Sequence, residues 1–369
     1  MKYVLYVCST LEQTGPSSQL FNIVNNLDSK SYQAKIITLS PEKEKSLYDK
    51  FIKQGIEVYC LDPTGRESIS GLRKLLLEYL SSNKVDVIHT QGIRADMILC
   101  KIIDAIPSKW VSTLRNIPYL DYPPQYGLFK GLVMALAHIL SLRKCYNLVV
   151  VSHSVRDALS KFFSNGINVI PNGIDTEFYA PLNICKESEI DIRKNLNLDI
   201  NKKLIVYTGV LEERKNIKMM LDVFEKLNDF QLLIIGDGSL MPMVKSHNAT
   251  IAKKVIPIGS VSDVRPYLAI ANAFILISKA EGLPNSVLEA LAMDVPSILS
   301  NIGPHREIQK SASSLVHLVE IDNSLGLLNF LLNDYSSWRE KIILGQCRDL
   351  SEKSFSASYN SCCYQTLYK

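Results

Sequence analysis

Glu281-Gly-Leu-Pro-Asn-Ser-Val-Leu-Glu289 sets two carboxylates on either side of a tight Gly282-Leu283-Pro284 turn, and a helix is predicted to start near Asn285. Just upstream, Ala273-Phe-Ile-Leu-Ile277 reads as a buried strand. A strand, a loop carrying an acid and a helix N-terminus is how open α/β sheets present ligand groups at their strand ends. The amides of Asn285, Ser286 and Val287 are expected as first-turn donors suited to a diphosphate. Glu289, about one turn into the helix, suits the hydroxyls of a ribose. Glu281, still in the loop, suits a sugar hydroxyl.

Outward from this stretch the second half alternates. Apolar runs at 203–209, 230–236, 254–258, 273–278, 295–299 and 314–319 read as strands buried on both faces. The first half follows the same pattern, with strands at 3–8, 34–39, 56–61, 85–90, 109–114, 147–151 and 167–171 and amphipathic helices at 68–82 and 153–164. Such alternation predicts parallel sheets covered by helices on both faces. Between the two series, 181–202 turns polar and charged without a strand, and the linker is placed there. The expected fold class is α/β, with two Rossmann-like domains and ligands in the crevice between them. The expected boundaries are 1–180, 181–350 and a helical tail at 351–369, aromatic from Phe355 to Tyr368.

Composition narrows the class. A chain of 369 residues with 47% apolar and 21% charged content suits a soluble two-domain protein. Met1-Lys2 runs directly into the apolar Tyr3–Val7, so no signal peptide is expected. No apolar run reaches the roughly 18 residues of a bilayer-spanning helix. The eight cysteines show no zinc spacing and read as reduced thiols of a cytoplasmic protein. The net charge of +4 lies in the first half: residues 1–180 hold 20 Lys+Arg against 16 Asp+Glu, whereas 181–369 hold 21 of each. That excess suits an anionic ligand or a membrane surface. No basic stripe or motif points to nucleic acid, and none is expected as a partner.

Further motifs have a bland and a functional reading each. In Tyr207-Thr-Gly-Val-Leu-Glu-Glu-Arg-Lys-Asn216 a strand ends at Gly209 and a helix starts near Asn216. Lys215 at that junction either neutralises a phosphate or belongs to a solvated charged loop. Gly236-Asp-Gly238 ends another strand and either approaches a nucleotide or is turn chemistry. His89 in Asp86-Val-Ile-His-Thr-Gln-Gly92 is either a site residue or a buried, hydrogen-bonded histidine at a strand end. His138, in an apolar helix, reads as structural. The stretch Gly127–Lys144 is either a core helix or, with its basic end, a membrane contact; within 94–161 there are 9 Lys+Arg against 4 Asp+Glu.

Taken in order, the second-half pieces resemble glycosyltransferase family 4, the retaining GT-B enzymes that use nucleotide sugars. The matching segments are Gly209–Asn216, Gly236–Gly238, Gly259-Ser-Val-Ser-Asp263, Glu281–Glu289 and Ser300-Asn-Ile-Gly-Pro-His-Arg-Glu307, preceded by Val169-Ile-Pro-Asn-Gly-Ile-Asp175. The resemblance is strong over roughly 145–310 and weaker before it. It implies that Glu281 contacts the donor sugar, Glu289 the ribose and Lys215 the diphosphate. The implied donor-binding set is Gly15, Gly209, Arg214, Lys215, Gly236, Gly238, Glu281, Gly282, Leu283, Pro284, Asn285, Ser286 and Glu289. Where the family has a second basic residue after the glycine, this chain has Val210, and Arg214 is the candidate substitute. Gln13-Thr-Gly-Pro-Ser-Ser18 resembles the family's N-terminal glycine-rich loop, with Gly15 retained. Where the family carries a histidine near the donor sugar, this chain reads Ser112-Thr-Leu-Arg-Asn116, so Arg115 or Asn116 is expected to line the cleft instead, and Arg115 joins His89, Glu281 and Lys215 as a catalytic candidate.

The resemblance implies retaining transfer of a sugar, from a UDP-sugar in preference to a GDP-sugar, to a glycan or undecaprenyl-diphosphate-linked acceptor. The leaving phosphate takes the acceptor proton, and no covalent enzyme nucleophile forms. The expected setting is bacterial surface polysaccharide assembly, with peripheral contact to the anionic inner face of the plasma membrane through the N-terminal domain, and with the final helix crossing back to that domain. No cofactor is expected beyond the nucleotide sugar as donor substrate. The chain has no Asp-x-Asp, so no metal is expected either. Two alternatives are a non-catalytic nucleotide-sugar-binding protein and a GT-B epimerase.

Overall fold

A computed structural model describes residues 1–250 and 254–369. The chain divides into two compact units, Met1–Gly173 with Ala357–Lys369, and Ile174–Ser356. The divide thus falls at Gly173/Ile174 rather than at 180/181.

The first unit is built on a parallel sheet of β1 (Lys2–Cys8), β2 (Tyr32–Thr38), β3 (Glu57–Cys60), β4 (Val87–Gln91), β5 (Lys109–Leu114), β6 (Asn147–Val150) and β7 (Asn168–Val169), in the order β3-β2-β1-β4-β5-β6-β7. Side chains of β1 alternate between two cores. Leu5 and Val7 pack on one face, and Val4, Tyr6 and Cys8 on the other. Burial of both faces is why β1 is a near-continuous apolar run, each large side chain contributing about 1.5–3 kcal/mol. Helices that matter below are α1 (Gly15–Asn25), α2 (Ile93–Leu99), α3 (Pro118–Tyr126) and α4 (Leu128–Leu142). A Cβ on Gly131 of α4 would lie 2.5 Å from the Pro123 backbone of α3, so only glycine lets the two helices pack this closely.

The second unit holds the parallel strands β8 (Lys203–Thr208), β9 (Phe230–Ile235), β10 (Val255–Gly259), β11 (Ala273–Leu276), β12 (Ser297–Ser300) and β13 (Val316–Val319), in the order β10-β9-β8-β11-β12-β13. Its α5 (Asn285–Ala292) follows β11. The stretch expected as a plain linker holds the helix Lys186–Asn195. Arg193 anchors it from a buried position, donating to the Ile270 and Lys202 carbonyls and to Glu189. Polar composition concealed this helix because its one deep contact is an arginine.

The last helix, α6 (Ala357–Tyr368), belongs to the first unit and packs on α1, with Ser361 Oγ donating to the Ile23 carbonyl at 2.8 Å. Tyr364 and Tyr368 of α6 are fully buried in the first unit's core. No helix among the described residues is long and apolar enough to cross a membrane.

Candidate active site

In each sheet the strand order reverses beside its first strand, next to β1 and β4 in one unit and next to β8 and β11 in the other. A parallel α/β sheet opens a crevice outside the C-terminal strand ends at such a reversal, because connections leave in opposite directions there.

In the second unit this place is formed by the loops after β8, β9 and β11. The first two touch backbone to backbone. Gly236 adopts φ 140°, and a Cβ there would fall 1.9 Å from the Gly209 carbonyl oxygen; one on Gly238 would meet Leu211 at 2.5 Å. Leu211 N–H donates to the Asp237 carbonyl at 2.9 Å, tying the loops together. Gly236 and Gly238 therefore have a packing reason to be glycine, quite apart from any ligand.

After β8 the chain makes a 3-10 turn over Glu213–Lys215. Asn216 then takes the left-handed conformation, φ 57°, and starts the helix Ile217–Phe224. This reversal brings Lys215 Nζ to 2.6 Å from Glu281 Oε1. Arg214 Nη1 donates to Glu281 Oε2 at 3.1 Å and to the Ala280 carbonyl at 2.6 Å, while its Nη2 donates to Glu212 at 2.7 Å. The Glu281 side chain is only 8% exposed. Burial pushes its carboxyl up, but the Lys215 and Arg214 charges outweigh that and hold it below the usual range. Val210, by contrast, is exposed.

Gly282, Leu283 and Pro284 are buried, and Asn285 and Ser286 half-buried, where the turn enters α5. Glu289, one turn into α5, bonds with Tyr179, and burial raises its carboxyl to about 7. His305 is also buried near the Glu281–Lys215 pair. Burial lowers its ring to about 4, and Nδ1 lies 2.9 Å from the Ser300 carbonyl. Tyr179 and His305 were not among the residues singled out from the sequence; neither carries a local signal for its partner.

In the first unit, a cavity of about 290 Å³ opens at the ends of β1, β4 and β5. Thr14, Pro16 and Ser17, flanking Gly15 at the start of α1, contribute to its wall, as do Gln91 and Arg115. Arg115 Nη1 donates to Asn172 Oδ1 at 2.6 Å. His89 requires a correction. It does not line this cavity: it is 0% exposed, with Nδ1 2.7 Å from the Tyr368 hydroxyl and Nε2 2.8 Å from Thr113 Oγ1. Burial, then the Arg115 charge, pulls its ring down to about 3, so it stays neutral. It is a structural histidine that holds α6 on the sheet.

His138 is likewise buried, yet it reaches the cavity wall beside Tyr122. None of the eight cysteines forms a disulfide.

The family model described as Glycosyltransferase Family 4 matches residues 14–178, and that described as Glycosyl transferases group 1 matches residues 188–343. Among curated proteins, the O-antigen biosynthesis glycosyltransferase WclY of Escherichia coli is 26% identical over 306 residues, covering 81% of this chain and 80% of that protein. The UDP-Gal:alpha-D-GlcNAc-diphosphoundecaprenol alpha-1,3-galactosyltransferase of Escherichia coli is 29% identical over 318 residues, covering 79% of each. Anabaena HepE, solved with UDP, superposes with a TM-score of 0.79 over 100% of this chain and 99% of that one, at 14% identity. The chain is thus a GT-B glycosyltransferase and belongs to the family 4 type, its two halves matching the two family models in turn.

Proposed function

We propose that this chain transfers a sugar, with retention, from a nucleotide diphosphate sugar to a glycan or lipid-diphosphate-linked acceptor in surface polysaccharide assembly. A UDP-sugar is the favoured donor. The observation that carries the reading is the buried Glu281 carboxylate with Lys215 and Arg214 on its two oxygens, beside the start of α5. The relatives named for O-antigen assembly and for UDP-galactose transfer to a diphosphoundecaprenol acceptor support the substrate classes.

The barrier lies at the anomeric C–O bond. As it breaks, the bonding electrons leave with the diphosphate, and the new bond forms between the acceptor oxygen and the anomeric carbon. The acceptor proton passes to the leaving phosphate. Lys215 has three N–H donors, so one can stay on Glu281 while others meet phosphate oxygens. Arg214 adds a second fixed charge. Preorganised positive potential at the leaving group is the largest available contribution. Glu281 positions the sugar through its hydroxyls, and Glu289 takes the ribose. This scheme calls for no divalent cation, and turnover is expected to survive EDTA.

The outer face of α4 adds a peripheral membrane role. Leu128, Phe129, Leu132, Val133, Leu136 and Leu140 are all exposed, Phe129 at 83%. Lys130 and Arg143 are exposed on the same helix and at its end. An apolar stripe with flanking cations suits an anionic bilayer.

Thermal stabilisation by UDP-, GDP-, ADP- and dTDP-sugars, in wild type and Glu281→Ala, tests the core of the reading. One sugar nucleotide should stabilise wild type, but stabilise Glu281→Ala no more than its free diphosphate does. No shift with any of them would point to a protein without a donor site. Conversion of the donor in the absence of acceptor, without release of free sugar, would point to an epimerase.

A further inference from the structure

Residues 174–180 open the second unit, and their backbone is tied down without help from the Tyr179 hydroxyl. Asp175 Oδ1 accepts from Glu177 N–H at 3.1 Å and Phe178 N–H at 2.9 Å, and the Asp175 carbonyl accepts from Tyr179 N–H at 2.9 Å. Arg348 Nη1 donates to the Thr176 carbonyl at 3.0 Å and to the Ala292 carbonyl, at the end of α5, at 3.3 Å. Arg265 Nη1 donates to the Phe178 carbonyl at 3.1 Å, and its guanidinium lies 3.7 Å over the Phe178 ring. Each arginine has an acid of its own at 2.7 Å, Asp263 for Arg265 and Glu352 for Arg348.

The Tyr179 hydroxyl has a different partner. It is hydrogen-bonded to the carboxyl of Glu289. Burial, and then the Glu289 charge, pushes the phenol well above its usual range, so it keeps its proton. An ionised carboxylate can only accept, so the phenol is the donor whenever Glu289 is charged. Burial raises that carboxyl to about 7, and the Tyr179 bond works against burial. Asp263 and Arg265 also act on the phenol, and they are paired with one another. Glu281 is thus held by two cations, and Glu289 by a neutral donor.

With the backbone of 174–180 held by Asp175, Arg265 and Arg348, the phenol is not needed to anchor the segment. What it does fix is the glutamate. Ordering a free glutamate side chain costs on the order of 1.5–2 kcal/mol of rotamer entropy. A carboxylate oriented beforehand removes that cost from the binding step. It has about four lone-pair sites, so one bond from Tyr179 leaves room for two vicinal hydroxyls.

We propose that Tyr179 is a positioning residue of the donor site, its hydroxyl holding the Glu289 carboxylate in the orientation that meets the ribose diol of the nucleotide. The inference rests on the reading of Glu289 as the ribose acid of a nucleotide-sugar transferase. Tyr179 itself falls between the spans matched by the two family models, 14–178 and 188–343.

UDP and 2′,3′-dideoxy-UDP are the probes, titrated calorimetrically into the full-length protein from about pH 5 to 9. The ratio of the two affinities cancels the titration of the diphosphate they share. Wild type should favour UDP, most strongly above about pH 7, where Glu289 is ionised. Tyr179→Phe should bind UDP about five- to tenfold more weakly and bind dideoxy-UDP as wild type does. The pH midpoint of the ratio should rise in that variant, because burial is then less opposed. In a Glu289→Gln background, Tyr179→Phe should change UDP affinity by about twofold or less. A bond that only anchors the segment would weaken both nucleotides equally, or lower the melting temperature alone, with the midpoint unmoved. Either result, or unchanged UDP affinity in Tyr179→Phe, overturns the proposal. GDP and its dideoxy form replace the uridine pair if wild type prefers guanosine. Equal affinity of wild type for the ribose and dideoxy forms would remove Glu289 from the ribose, and the proposal with it. Binding of neither UDP nor GDP would strike the transferase reading itself.

Discussion

Lys215 Nζ and Glu281 Oε1 stand 2.6 Å apart across 66 residues of sequence, joining the loop after β8 to the loop after β11. Both side chains are largely buried, Lys215 at 12% exposed and Glu281 at 8%. Arg214 takes the second carboxylate oxygen, so one acid holds two cations at the reversal of strand order.

Glu281→Ala removes the shared anion and leaves two cations partly desolvated. It should lower stability by about 3 kcal/mol and reduce turnover by at least roughly 100-fold. Lys215→Ala leaves Arg214 on Glu281 and should cost less stability while weakening UDP binding and kcat together. The double variant should melt above Glu281→Ala alone, because coupled residues are non-additive. Thermal melts and steady-state kinetics of the three variants check this. Near-intact turnover in Glu281→Ala would remove Glu281 from the site.

Glu289 gives the protein a pH dependence of known sign. Its folded carboxyl is raised to about 7 by burial, so the folded state binds the proton more tightly than the unfolded chain. Stability from this group is present below the ordinary glutamate value of roughly 4.3 and is lost as pH rises through about 7. Nucleotide affinity should move the other way, since the ionised carboxylate is the stronger acceptor for ribose hydroxyls. Calorimetry with UDP across this window, in wild type and Glu289→Gln, reads both; the variant should be flat. An equally sloped variant would exclude Glu289 as the source.

Tyr368 holds the last helix on the first unit's sheet through His89 at 2.7 Å and Tyr6 at 3.1 Å. Tyr368→Phe should destabilise by about 1–3 kcal/mol, because buried partners lose a hydrogen bond. UDP affinity should not change. His89→Gln should likewise alter the melting temperature without moving the pH profile of activity between pH 5 and 8 (about two units above a ring value near 3). A shifted profile would return His89 to the site.

Phe129→Glu with Leu136→Asp should abolish sedimentation with phosphatidylglycerol vesicles at low salt while leaving the fold intact, because both side chains are already exposed. Raising the ionic strength should weaken wild-type binding, through screening of Lys130 and Arg143. Wild type that ignores such vesicles would remove the membrane role.

Much of the fold was legible as period and order. Each of the thirteen strands among the described residues overlaps a run expected from the sequence; those buried on both faces, such as β9 and β11, stand out as apolar runs, whereas β3 at the sheet edge holds no buried residue. The turn before α5, and the acids on either side of it, were legible because Gly282 and Pro284 punctuate locally. The helix Lys186–Asn195 was not, because its anchor is Arg193, a residue type that usually marks the surface.

Sequence alone thus settled the parallel α/β class, the placement of Glu281 and Glu289 around one strand–turn–helix corner, and the chain's affinity to family 4. These depend on spacing within a few tens of residues. Only the tertiary structure could say that Arg214 rather than the residue at 210 meets Glu281, that His89 is enclosed by Thr113 and Tyr368, and that His138 connects Asp96 to Tyr122. Each of those depends on which side chains distant strand ends and helices bring within about 3 Å, and on the water they exclude. Burial then sets whether a histidine is a structural group or a ligand, and no local pattern carries that information.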